Sequence, residues 1–240
     1  MPPKIIQDVW HGDSIEAVKI FQKKRNVRSV ITDPPFGVNN QSNMAVTAGG
    51  KANARKIAND ESPEIAMAVF AKVMQNLILG MHDESDIYVF TAHQVLEEWL
   101  VFTRQLFEPF GFKRKGVLIW EKDGPGMGDL ESWGMGCEFI LYYKRGAYRG
   151  PAPRRNNILH TPQLRPGDLT HPHEKPTALL DTLLQHSTRA GDLVVDPFGG
   201  SGSLARAARE AGRSGISIEL DLENYTRAKN KLDHAETGLF

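Results

Sequence analysis

Leu193-Val194-Val195-Asp196-Pro197-Phe198-Gly199-Gly200-Ser201-Gly202-Ser203 is the stretch whose reading decides the fold. Its first four residues read as a short buried strand, and the residues after Ser203, rich in Ala and Arg, read as a helix. A glycine turn between them lets backbone approach a ligand closely, because glycine has no side chain to obstruct it. Strand, turn and helix open a βαβ unit, and hence a parallel sheet. Twenty-three residues after Asp196, the run Gly215-Ile216-Ser217-Ile218 ends in Glu219. A carboxylate at the tip of that second strand can accept hydrogen bonds from both hydroxyls of a ribose. The turn lacks G-x-G-x-x-G spacing, and the chain has no G-x-x-x-x-G-K-[ST] loop. NAD and ATP are therefore disfavoured, which leaves a ligand that contains a nucleoside but no diphosphate.

Outward from this unit, β-branched and aromatic runs predict strands around 5–10, 28–33, 86–91, 115–120, 137–143, 192–196 and 214–219. Helical spacing fills most gaps: 63–80, 93–109, the stripe Leu179, Leu180, Leu183 and Leu184, and the stripe Tyr225, Ala228 and Leu232. The expectation is one α/β domain over 1–240, a single open, mostly parallel, seven-stranded doubly wound sheet. The strands of 115–143 are joined by Gly124, Gly126 and Gly128 without a helix, so an antiparallel strand is expected at the sheet edge. Two polar segments, 37–62 and 146–170, are too long to be plain connections and read as a mobile loop and a basic functional loop.

The 240 residues carry a formal net charge of zero, against the basic footprint of most nucleic-acid binders. Distribution matters more than the sum. Lys144, Arg145, Arg149, Arg154, Arg155 and Arg165 lie in a stretch free of acidic residues, which suits a phosphate backbone as well as it suits a solvated loop. The one cysteine, Cys137, excludes an internal disulfide and argues against a cysteine zinc site, and its apolar run predicts a buried thiol. No secretory leader follows Met1, and the apolar run Ile65 to Ala71 is far short of the roughly 20 residues that span a bilayer, so the expectation is a cytoplasmic protein without a membrane. His160, His171, His173 and Glu174 match no zinc spacing, and no metal is expected.

The strand Ser29-Val30-Ile31-Thr32 runs into Asp33-Pro34-Pro35-Phe36-Gly37. Each proline fixes its own φ and biases the residue before it towards extended geometry. A stiff bend results, projecting the Asp33 carboxylate and nearby carbonyls one way with an aromatic ring beside them. Asp33-Pro34-Pro35-Phe36 resembles the catalytic motif of the amino-methyltransferases that modify N6 of adenine or N4 of cytosine. His171 to Pro176, the leucine helix and Asp196 to Ser203 are similar to that family's cofactor half, and Gly212 to Glu219 continue the likeness. Catalytic motif first and cofactor loop last is the order of the family's beta group, and Gly12-Asp13 fits it too. Small departures are Ser203 for threonine, Ser217 for glycine and Glu174 for glutamine.

The resemblance implies a Rossmann-like methyltransferase fold and S-adenosylmethionine as cofactor. It implies DNA as substrate, with base flipping, and a homodimer or accessory partner as the assembly that such proteins often form. Asp33, Pro34, Pro35 and Phe36 would be catalytic. Asp13, Lys175, Asp196, Phe198, Gly200, Gly202 and Glu219 would bind cofactor, with Asp13 near its adenine and Lys175 near its methionine end. Adenine N6 is the expected target, cytosine N4 the alternative; an RNA or protein-amide methyltransferase and a non-catalytic nucleic-acid-binding subunit are further readings. Trp133 is placed either to close the other face of a flipped base or to sit partly buried in its loop. DNA contacts are expected from the basic residues of 144–165, with 146–170 as the DNA-recognition segment and 37–62 as the mobile loop near the active site.

Overall fold

Val30 and Ile31 are neighbours in sequence yet belong to different cores, because successive strand side chains point to opposite faces. Val30 packs with Phe70, Val73, Leu77 and Trp99, while Ile31 packs with Leu179, Leu183 and Leu204. The split recurs where Ile87 and Val89 face one core and Tyr88 and Phe90 the other. A sheet apolar on both faces needs helices on both sides.

A computed structural model describes residues 6–38, 41–42, 55–124, 131, 133–163 and 174–237. In chain order the elements are β1 (Gln7–His11), α1 (Ser14–Ala17), β2 (Val27–Thr32), β3 (Gln41–Ser42), β4 (Arg55–Lys56), α2 (Pro63–Ile78), β5 (Met81–Thr91), α3 (Leu96–Phe107), β6 (Lys113–Glu121), β7 (Cys137–Arg145), β8 (Ile158–His160), α4 (Thr177–Ser187), β9 (Leu193–Asp196), α5 (Ser203–Glu210), β10 (Ser214–Glu219) and α6 (Leu222–Thr237). Among the described residues eight strands form one sheet in the order β1-β10-β9-β2-β5-β7-β6-β8, and β3 pairs with β4. Helices α2 and α3 cover one face and α4 and α5 the other, while α6 closes over β1 through Val9, Ala205, Ala228 and Leu232. Each large side chain buried this way contributes about 1.5–3 kcal/mol.

Local signals account for the helix starts. Ser62 caps α2 by accepting from the Ile65 amide, Pro63 occupies the first turn where its missing N–H is harmless, and Glu64 meets the positive helix end. Leu179, Leu180, Leu183 and Leu184 are all buried, as their stripe in α4 requires.

The doubly wound class is as expected, with two corrections of detail. The antiparallel strand β7 is internal, paired with β5 on one side and β6 on the other. The edge belongs to an eighth strand, β8, which runs parallel to β6 from within the segment expected to be a loop. Only Leu159 of β8 is buried, so a three-residue strand leaves no alternation to read. β5 also begins earlier than its hydrophobic run. Val27 pairs with Met81 but Ser29 with Asp86, so the polar residues His82 to Ser85 form an irregularity at the strand start.

Candidate active site

The C-terminal ends of β1, β10, β9 and β2 border a cavity of about 730 Å³, at the sheet edge where open parallel sheets hold ligands. One wall is the glycine turn after β9. The Gly199 amide donates to the Ile218 carbonyl at 2.7 Å. A Cβ on Gly199 would stand 3.0 Å from both N and O of Ile218, so no other residue lets the turn lie so close to β10. Gly200 takes a φ of +49°, which aims its amide at Glu219 Oε2, 2.8 Å away. The other Glu219 oxygen accepts from the Asp221 amide at 2.8 Å. Burial raises the Glu219 pKa, and these two amides counter only part of the rise.

Asp196 is buried beneath the turn. Its Oδ1 accepts from Thr32 Oγ1 at 2.8 Å and from the Phe198 amide at 3.0 Å. Burial outweighs both bonds and, with Asp33 and Glu219 nearby, lifts the carboxyl to about 7. Phe198 lines the cavity with its ring stacked on Phe70 at 6.0 Å. Asp13 stands exposed at the rim, capping α1 through a 2.8 Å bond from the Ile15 amide. Gly202, expected to touch cofactor, does not line the cavity. It turns α5 into position with a φ of +69°, and a Cβ there would meet Ala228 and Val9 at 3.1 and 3.2 Å, so it is a packing glycine.

Among the described residues, seven acids line the cavity (Asp13, Asp33, Asp60, Asp196, Glu219, Asp221 and Glu223) against three basic side chains, His11, Lys175 and Arg227. Such a field favours a cationic ligand. A nucleoside carrying a sulfonium and an ammonium fits this lining, which is mostly acidic and leaves room beside the Gly199–Gly200 turn.

The opposite wall is Asp33-Pro34-Pro35-Phe36, at the end of β2. Lys175 reaches Asp33 Oδ2 at 2.6 Å and Glu138 Oε2 at 3.0 Å, under the rings of Phe90 and Trp120. Glu138 also takes Lys122 at 2.5 Å. Charges thus alternate in a row: Lys122, Glu138, Lys175, Asp33. Burial opposes a charged Lys175, but Asp33 and Glu138 more than reverse that and raise its pKa. Burial likewise opposes ionised Glu138, and Lys175 and Lys122 overcome it to lower its pKa. Facing a protonated lysine, the Asp33 carboxylate is an acceptor of hydrogen bonds. The ammonium of Lys175 is therefore directed at the catalytic motif, whereas the resemblance placed it at the methionine end of the cofactor.

Phe36 stands edge-on to Trp99 at 6.4 Å. Its carbonyl accepts from the Trp99 indole at 3.3 Å, and Asp60 accepts from its amide. Sequence reasoning missed Glu138, Asp60 and Trp99. Glu138 had a signal, a charge inside the apolar run Cys137 to Tyr143, on the same face as buried Ile140 and Tyr142. Asp60 and Trp99 carried none.

The basic stretch divides. Lys144 is a structural ion-pair residue, 3.0 Å from Asp86, whose side chain is fully buried and whose pKa burial pushes up to about 6. Arg145 donates to the carbonyls of Phe110, Met81 and His82 and covers the Phe112 ring. Both point into the protein because those acceptors need partners, which removes them from the expected phosphate-facing set. Arg149 is exposed, but its carbonyl is tied to Arg189 beside the C-terminal end of α4, away from the cavity. Arg154 and Arg155 are exposed on the approach to β8. Arg165, His171 and His173 lie outside the described residues.

Trp133 is 90% exposed, which rules out its partly buried alternative, and it precedes β7 by four residues on the cavity edge of the sheet. Cys137 is half-buried as the first residue of β7, opposite Glu121, rather than a core thiol. His160 pairs with Glu121 at 2.5 Å. Among the described residues no group of three metal-ligating side chains occurs, and no helix is long and apolar enough to cross a membrane.

A doubly wound sheet with an internal antiparallel strand, an acid-lined cavity at its strand ends and an Asp-Pro-Pro-Phe wall together make the layout of a DNA methylase. The chain belongs to the N6/N4 methyltransferase family of DNA methylases, whose model matches residues 27–230. The Type II methyltransferase M.HpaI of Haemophilus parainfluenzae is 41% identical over 68 residues, 28% of this chain and 22% of that protein. The putative methylase YubD of Escherichia coli (strain K12) is 27% identical over 220 residues, 90% of this chain and 86% of YubD. The solved M1.HpyAVI–SAM complex superposes with a TM-score of 0.70 at 22% identity, covering 94% of this chain and 98% of that one.

Proposed function

We propose that this DNA methyltransferase acts on N6 of adenine, in a nucleotide flipped out of the duplex, in the cytoplasm. The observation that carries the reading is Asp33 on the cavity wall, 2.6 Å from Lys175 and across from the turn at Gly199–Gly200. An exocyclic amino group offers two hydrogens. Asp33 and the Pro34 carbonyl accept them, which reduces lone-pair delocalisation into the ring and aims the nitrogen. Pro35 stiffens the bend, and Phe36 stacks on the base. Bound S-adenosylmethionine supplies an electrophilic sulfonium methyl. Glu219 holds its ribose, Asp13 approaches its adenine, and Asp196 with the Phe198–Gly200 turn shapes the rest of its bed. Transfer would be direct: the nitrogen–methyl bond forms as the methyl carbon–sulfur bond breaks, and the neutral thioether S-adenosylhomocysteine is the leaving group. The nitrogen then gives up one of its two protons. Alignment supplies much of the rate. Lys175, anchored by Glu138, keeps Asp33 in its accepting form and orientation.

The Asp-Pro-Pro form of the motif supports adenine over cytosine, for which Ser-Pro-Pro is commoner. Cytosine N4 presents the same pair of amino hydrogens and is the second reading. Exposed Arg154 and Arg155 are proposed to hold the DNA backbone. Asp33→Ala is expected to abolish methyl transfer while binding of S-adenosylmethionine, followed by calorimetry, stays within about twofold, since a carboxylate that contributes to transition-state alignment affects rate rather than cofactor affinity. Turnover like that of the wild type would remove Asp33 from its role.

A further inference from the structure

The main chain of Phe36 is fastened on both sides. Asp60, only 3% exposed, lies 24 residues further along the chain. Its Oδ1 accepts from the Phe36 amide at 2.9 Å and from the Gly37 amide at 2.7 Å. On the carbonyl side stands the Trp99 indole, 3.3 Å away. Asn59, at a φ of +64°, makes the tight turn that delivers Asp60 inward. Gly37 then passes so near the start of α2 that a Cβ on it would lie 2.2 Å from the Pro63 nitrogen. Residues 36–37 and 58–63 therefore meet as a fixed neck.

Asp60 is not what starts the helix behind it, because Ser62 caps α2. Asp60 lines the cavity instead. Two amides converging on one oxygen fix the peptide plane at Phe36, and with it the direction in which the ring leaves the backbone. We propose that Asp60 is the positioning residue of the base clamp: its carboxylate sets the angle at which Phe36 meets the flipped base. The proposal deepens the function proposed above and rests on Phe36 stacking on that base.

The test uses the full chain with Asp60→Ala, Asp60→Asn and Asp60→Glu. Amide exchange at Phe36 and Gly37 needs no substrate and reads the fastening itself. Methylation of unmethylated genomic DNA with labelled S-adenosylmethionine reads its consequence. Asp60→Ala is expected to speed exchange at those two amides and to lower kcat about tenfold or more, with cofactor affinity within about twofold, because misplacing a contact near the reacting atoms affects rate first. Asp60→Asn keeps an acceptor oxygen and is expected to restore most of kcat. Asp60→Glu keeps charge and acceptor but sets them one methylene away, so its kcat is expected to fall. If Asp60→Ala does not fold, the contrast between Asn and Glu decides. Unchanged exchange in the alanine variant, faster exchange with an unchanged kcat, or a glutamate variant as active as the wild type would overturn the proposal. Absence of DNA labelling by the wild type would instead refute the function, and the exchange data would still decide whether Asp60 fastens Phe36.

Discussion

Asp196→Asn isolates the electrostatic stress stored under the cofactor turn. Burial lifts the Asp196 carboxyl from 3.8 to about 7 despite bonds from Thr32 and the Phe198 amide. Between those two values the folded protein holds a proton that the unfolded chain has released, so stability falls as pH rises through this window. At about 1.4 kcal/mol per pH unit, the full loss is about 4 kcal/mol, complete above the folded value. Asparagine keeps the Oδ1 acceptor and mimics the protonated acid, so the variant should lack this loss. Urea unfolding without cofactor should give equal stabilities at about pH 4 and an advantage for Asp196→Asn of about 2–4 kcal/mol at about pH 8.5. Cofactor affinity should move the other way, since a cationic ligand loses a countercharge. Equal pH slopes in the two proteins would refute a raised Asp196 carboxyl.

Two further expectations concern the basic stretch. Arg145→Ala removes three bonds to backbone carbonyls and should lower stability by about 1–3 kcal/mol in urea unfolding, with little change in the salt dependence of DNA binding. Arg154→Gln with Arg155→Gln should do the reverse, weakening DNA binding and flattening its dependence on log salt by about one to two in slope, with stability unchanged. An unaltered salt slope would take those two arginines off the DNA.

The motifs were legible where their geometry is local. Asp33 to Phe36 bend because two prolines follow one aspartate, and Asp196 to Gly200 turn because only glycine fits against Ile218. Glu219 sits at a strand tip that the periodicity places directly. Parts joined across the chain were not legible. Glu138 meets Lys175 only once β7 has inserted between β5 and β6 and α4 has docked on that face. Asp60 finds Phe36 across 24 residues of polar sequence that carries no pattern. Lys144 and Arg145 looked like a phosphate-binding pair because sequence shows a charge but not its direction, and Asp86 and three carbonyls claim them. β8 was hidden by its length, since one buried leucine makes no alternation.

The most direct test of methyl transfer to adenine is the product itself. Genomic DNA free of methylation, incubated with the protein and S-adenosylmethionine and digested to nucleosides, would be resolved by mass. N6-methyladenosine as its deoxynucleoside is the predicted product, and it should vanish with Asp33→Ala. N4-methylcytosine in its place would contradict the adenine assignment, and no methylated nucleoside of either kind would contradict the catalytic role of Asp33-Pro34-Pro35-Phe36.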